Sequence, residues 1–90
     1  MNPITLEDNQ TDILSRAIDG HAGGLSVAAA QFIVSLELAE EDERRMNELA
    51  AKARDGHLTV GEEAALEEFR RCGRLMEMLK LKAHKALQSK

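Results

Sequence analysis

An all-α fold follows from three features of this 90-residue chain. Apolar residues recur at three- and four-residue spacing from Val27 to Leu87, the signature of helices with one covered face. Proline occurs once, at Pro3, so nothing after it forbids a helix. Glycines gather at 20–24 and at Gly56, where they separate periodic runs more than they interrupt them. The expected architecture is a small three-helix protein. A short helix over about 27–37 precedes a helical hairpin of about 40–54 and about 60–88. Residues 1–24 are expected to be a flexible N-terminal arm and 25–90 the helical domain.

Within the arm, residues 1–11 are polar and hold the single proline, which suits a disordered lead-in. In DILSRAID, Ile13, Leu14, Ala17 and Ile18 can line one face of a short helix, while the β-branched residues equally permit a strand. Both conformations stay open for residues 12–18. Three glycines in GHAGG then make a joint.

Ser26 is a good N-cap for VAAAQFIVSL, whose broad apolar surface (Ala29, Phe32, Ile33 and Leu36, flanked by Val27, Ala30 and Val34) predicts a central position. EEDE at 40–43 suits a helix N-terminus, where carboxylates meet the positive end of the macrodipole. Met46, Leu49, Ala50 and Ala53 form one stripe on that helix. Its phase differs from the preceding run by about one residue, or about 100°, which predicts a break near Leu38 or Ala39. A bent continuous helix is the alternative.

Gly56 stands where a left-handed residue closes a helix, and Thr59 with Glu62 forms a capping box for the next one. The last helix is then long. At 1.5 Å per residue its 29 residues span about 43 Å, against about 22 Å for the 15 residues before the turn. The hairpin partner therefore covers only the first half. Ala65, Phe69, Cys72, Met76, Leu79, Ala83 and Ala86 follow a heptad seam, and Phe69, Cys72, Met76, Leu79 and Ala83 are the candidate dimer seam. Leu75, Met78, Leu81 and Leu87 add apolar surface beyond it. These four, with Lys82 and Lys85 at the rim, are the candidate partner-binding residues.

Charge is divided unevenly. Residues 1–69 carry 15 acids and 5 Lys or Arg, giving −10, whereas 70–90 carry seven bases and Glu77, giving +6. Helix-dipole preference accounts for part of that bias. The sequence argues against nucleic acid as a partner, because the basic residues spread around the helix, the region lacks stacking Phe, Tyr or Trp, and the acidic remainder repels a polyanion.

No reaction chemistry is legible, so the chain is read as a non-enzyme with no catalytic residues, no metal site and no cofactor. His21, His57 and His84 lack the spacing of zinc ligands, and Cys72 on the seam reads as a buried, inert thiol. One cysteine allows no internal disulfide, the first residues carry no secretion pattern, and no apolar run reaches the roughly 20 residues of a membrane span. A cytoplasmic location is the default expectation.

The segment RRMNELAAKARDGHLTVGEEAALEEF at 44–69, with LMEMLKLKAHKAL and the upstream DILSRAI, resembles a family of small uncharacterised bacterial helical proteins. The resemblance covers about residues 12–88. Genes of that family often lie beside genes for HNH-type endonucleases, so the resemblance implies an antitoxin or immunity role and a nuclease partner. Val60 replaces the family's proline after the capping threonine, and Leu81 and His84 stand where Ser and Arg are usual. The functional expectation is a protein-binding module that uses the long C-terminal helix. A structural coiled-coil homodimer is the alternative.

Overall fold

The computed structural model describes residues 9–21 and 24–88. Among them are four helices: α1 (Gln10–Asp19), α2 (Val27–Val34), α3 (Glu40–Arg54) and α4 (Val60–Gln88). The all-α expectation holds, with one helix more than expected. Residues 12–18 are helical, settling the choice that periodicity left open. Asn9 caps α1 by accepting from the Asp12 N–H at 2.9 Å, and the Gly20 N–H closes it on the Arg16 carbonyl at 3.0 Å. The expected disorder of residues 1–8 lies outside the described residues.

Ser26 caps α2 as expected, its Oγ accepting from the Ala29 N–H at 3.1 Å. The helix ends at Val34, three residues short of the expected 37. Ser35 accounts for the difference. Its hydroxyl donates to the Phe32 carbonyl at 2.6 Å, and the Ser35 and Leu36 N–H groups bond three residues back, tightening the last turn. The break between α2 and α3 therefore spans 35–39 and excludes a bent continuous helix. Ala39 offers no capping side chain, so the four acids of the first turn of α3 stand in for one through the macrodipole.

The hairpin turn forms as predicted. Gly56 has φ 74°, its N–H bonds the Ala53 carbonyl at 3.1 Å, and the His57 N–H bonds the Lys52 carbonyl at 3.0 Å, a Schellman motif. The capping box is reciprocal: the Glu62 N–H donates to Thr59 Oγ1 at 3.1 Å and the Thr59 N–H donates to Glu62 Oε1 at 3.0 Å. Lys52 Nζ also donates to Glu62 Oε2, tying α3 to α4 beside the turn. These ties hold the Glu62 carboxyl below its ordinary range, chiefly through the Lys52 hydrogen bond and then the Thr59 N–H.

The chain divides into two compact units. Residues 37–73 hold α3 and the first half of α4, and residues 1–36 with 74–90 hold α1, α2 and the second half of α4. The first of these has a leucine core. Leu49 is fully buried and Leu66 nearly so, with Met46, Ala50, Ala53, Ala65 and Phe69 half-buried around them. Among the described residues of the second, Ala30 and Ala83 are buried, and both are small. Its remaining interior is made of half-buried side chains, among them Ile33, Val34, Leu75, Met76, Leu79 and Leu87.

Candidate functional site

The partner-binding candidates of α4 do not share one face. At about 100° per residue, Arg74, Met78, Leu81 and Lys85 fall in a single stripe through steps of four, three and four. The stripe lies about 140–180° around the helix from Ala83, which is fully buried, and from Met76, which is half-buried. Ala83 marks the most covered side of α4; within the stripe Met78 is half-buried, whereas Arg74, Leu81 and Lys85 are exposed. Leu81 is accordingly 62% exposed.

This outward stripe forms one wall of a groove of about 1000 Å³. The opposite side comes from α1 and the segment after it: Thr11, Ile18, Asp19, His21, Gly24 and Leu25. Glu77, Lys82 and Ala86 complete α4's share. Of the six partner-binding candidates, Met78, Leu81, Lys82 and Lys85 line the groove. Leu75 and Leu87 do not; both are half-buried elsewhere on α4, among the side chains that hold the unit together.

The lining carries one positive charge in excess, Arg74, Lys82 and Lys85 against Asp19 and Glu77, with His21 among them. Lys82 Nζ donates to the Asp19 carboxylate at 2.6 Å, with the lysine side chain 19% exposed and the aspartate 65%. Asp19 occupies the last turn of α1, where a carboxylate is unfavourable beside the negative end of the helix dipole. Lys82 offsets that placement and joins α1 to α4. Sequence reading missed this pair, whose members stand 63 positions apart. The acid at a helix C-terminus was the one signal that called for a cation.

The seating of α1 is unusual. Its half-buried positions are Thr11, Asp12, Ser15 and Ile18, whereas Ile13 is 51% exposed, Leu14 is 37% exposed, and Ala17 is also exposed. The polar side is thus covered more than the apolar ridge. Beside Ala17 and Ile18 a smaller cleft of about 470 Å³ is lined also by Leu25, Ser26 and Ala29.

The dimer-seam candidates are also dispersed in their surroundings. Ala83 is buried within its own chain, Phe69, Met76 and Leu79 are half-buried, and Cys72 is exposed. The expectation of a buried Cys72 is corrected. Counting along the hairpin from Gly56 sets Cys72 level with the acid-rich first turn of α3, before Met46, its first apolar residue. Leu66, one position off the heptad seam, takes the buried place instead. Phe32, expected in a central position, is 66% exposed, because the eight-residue α2 turns Ala30 inward rather than its aromatic ring.

Among the described residues no helix is long and apolar enough to cross a membrane, and no cluster of three His, Cys, Asp or Glu is arranged to hold a metal ion. No known family model, curated protein or solved structure matches the chain.

Proposed function

We propose that the chain is a non-enzymatic protein-binding module of antitoxin or immunity type, and that a partner protein seats on the outward stripe of α4. One observation carries this reading. Leu81 stands 62% exposed beside half-buried Met78, in a groove wide enough to take a protein segment. Large apolar side chains held open in a rimmed groove mark interaction surfaces. Met78 and Leu81 would supply the desolvated centre, and Lys82 and Lys85 the polar rim. Leu75 and Leu87 support the helix from its covered sides.

The resemblance to proteins encoded beside HNH-type endonucleases suggests a nuclease as the partner. The acidic surface of residues 1–69, at −10, suits a module that shields a basic nucleic-acid groove. Coexpression with an endonuclease encoded next to this chain tests the reading, with co-elution on gel filtration and rescue of host growth as readouts. Met78→Asp with Leu81→Asp is expected to abolish both while far-UV circular dichroism stays unchanged. Co-elution that survives the double substitution removes this surface from consideration.

A further inference from the structure

We infer that residues 70–74 are a joint built into α4: the helix opens and recloses there while the residues on both sides of it stay folded.

Three observations carry the inference. The first is exposure. Arg70, Arg71, Cys72, Gly73 and Arg74 are all exposed, whereas Phe69 before them and Leu75 after them are half-buried. At about 100° per residue, five successive positions look out on every side of a helix. Elsewhere in α4 no more than two exposed residues follow one another, so a covered face runs along the helix and lapses only here. On the facing helix of the hairpin, residues 40–45 at the start of α3 are exposed as well.

The second is anchorage. The boundary between the two compact units crosses α4 after Gly73. Before it, Leu66 is buried in the leucine core; after it, Ala83 is buried and Leu75, Met76 and Leu79 are half-buried. Each half of α4 is held by its own unit, and residues 70–74 contribute to neither interior.

The third is local helix strength. Helices in proteins are held chiefly by the packing of one face, and a short stretch without such a face depends on intrinsic propensity. Gly73 is the poorest helix former after proline, and Cys72 ranks low. Arg71 pairs with Glu68 at 3.0 Å and with Glu67 at 3.6 Å, and Arg70 pairs with Glu67 at 3.9 Å. These exposed pairs lie within α4, so they steady a turn weakly and tie it to no other element. Such a stretch opens more readily than the cores beside it. Its opening unpacks neither Leu66 nor Ala83, and the stripe residues Met78 and Leu81 keep their helix throughout.

Amide hydrogen exchange of the full chain, resolved by NMR, tests the joint. Helix–coil relaxation takes on the order of a microsecond or less, so exchange near neutral pH reports the opened population. After correction for intrinsic rates, the amides of residues 72–76 are expected to exchange about tenfold faster, or more, than those of 65–69 and of 79–83. That is a minimum of protection inside a helix, the reverse of fraying from its ends. Gly73→Ala should slow exchange at 72–76 about fivefold, because the gain in helix propensity acts where the helix opens. The new methyl fits, since no atom lies within 4 Å of a Cβ built at Gly73. Gly61→Ala, equally uncrowded but in the first turn of α4, should leave 72–76 unchanged. Protection that is level through 65–83, or that declines only toward Gln88, overturns the inference. So does a Gly73→Ala variant that exchanges like wild type, or a Gly61→Ala variant that slows 72–76 equally, since the helix then opens as one piece.

Discussion

Leu49 and Phe32 show how little side-chain size alone says about a residue's contribution. Leu49 is fully buried in the hairpin, whereas Phe32, one of the two aromatic rings of the Phe, Tyr and Trp class, is 66% exposed. Leu49→Ala should therefore destabilise by about 2–5 kcal/mol, through lost transfer energy and a residual cavity. Phe32→Ala should cost under about 1 kcal/mol, as for other surface changes. Urea denaturation of both variants checks the order, and equal losses would mean that Phe32 is covered in solution. Glu62 supplies a second case. Its carboxyl is held below the ordinary value of 4.5 by Lys52 and by the Thr59 N–H. A depressed folded-state value contributes stability that is fully present above the unfolded-state value and is lost as pH falls through the folded one. Melting temperatures of wild type and Glu62→Gln should accordingly differ at pH 7 and converge as pH falls through the lowered folded-state value. A gap that persists to pH 2.5 would show that the carboxylate charge is not what matters.

At the scale of elements, the local chemistry of the turn is the most legible part of the chain. The Gly56 stop and the Thr59–Glu62 box were readable in order, because each depends on residues within six positions of one another. Gly56→Ala is a direct check. No atom lies within 4 Å of a Cβ built there, so crowding is absent and only the φ of 74° opposes the substitution. A loss of about 1–2 kcal/mol is expected, measured by thermal denaturation. A neutral result would mean that the turn relaxes to another conformation. Other helix ends were harder. The end of α2 depends on the Ser35 hydroxyl competing for the Phe32 carbonyl, a choice that periodicity does not register. The state of residues 12–18 depends on Asn9 as a cap and on Lys82 far along the chain, so a local pattern of β-branched and apolar residues left it undecided.

For the molecule as a whole, the question is whether α4 is partnered by its own chain or by a second copy. Ala83, at the C-terminal end of the proposed dimer seam, is fully buried within one chain, and Met76 and Leu79 before it are half-buried. A coiled-coil pair would have to displace what covers them. Multi-angle light scattering on the purified chain is expected to give the monomer mass of 9.9 kDa at micromolar concentration. A stable dimer disrupted by Leu79→Asp would favour the coiled-coil alternative instead. The same arrangement explains how the candidate site was half visible. Apolar excess on the second half of α4 could be counted in the sequence, since one helix carries it. Which of those residues the chain itself covers could not be counted, and Leu75 and Leu87 proved to be among the covered ones.

What the sequence determined by itself is whatever is decided within a turn or two of helix: the all-α class, the bounds of α3 and α4, the caps at Ser26 and Thr59, and the surplus of positive charge after residue 69. Capping and periodicity act through neighbours in the chain, so neighbours suffice to read them. The tertiary structure alone decided that α1 is a helix paired to α4, that Ala83 faces inward while Leu81 faces out, and that Cys72 and Phe32 are exposed. Burial belongs to pairs of surfaces, and a helix with apolar side chains on several sides does not specify which side its own chain will cover.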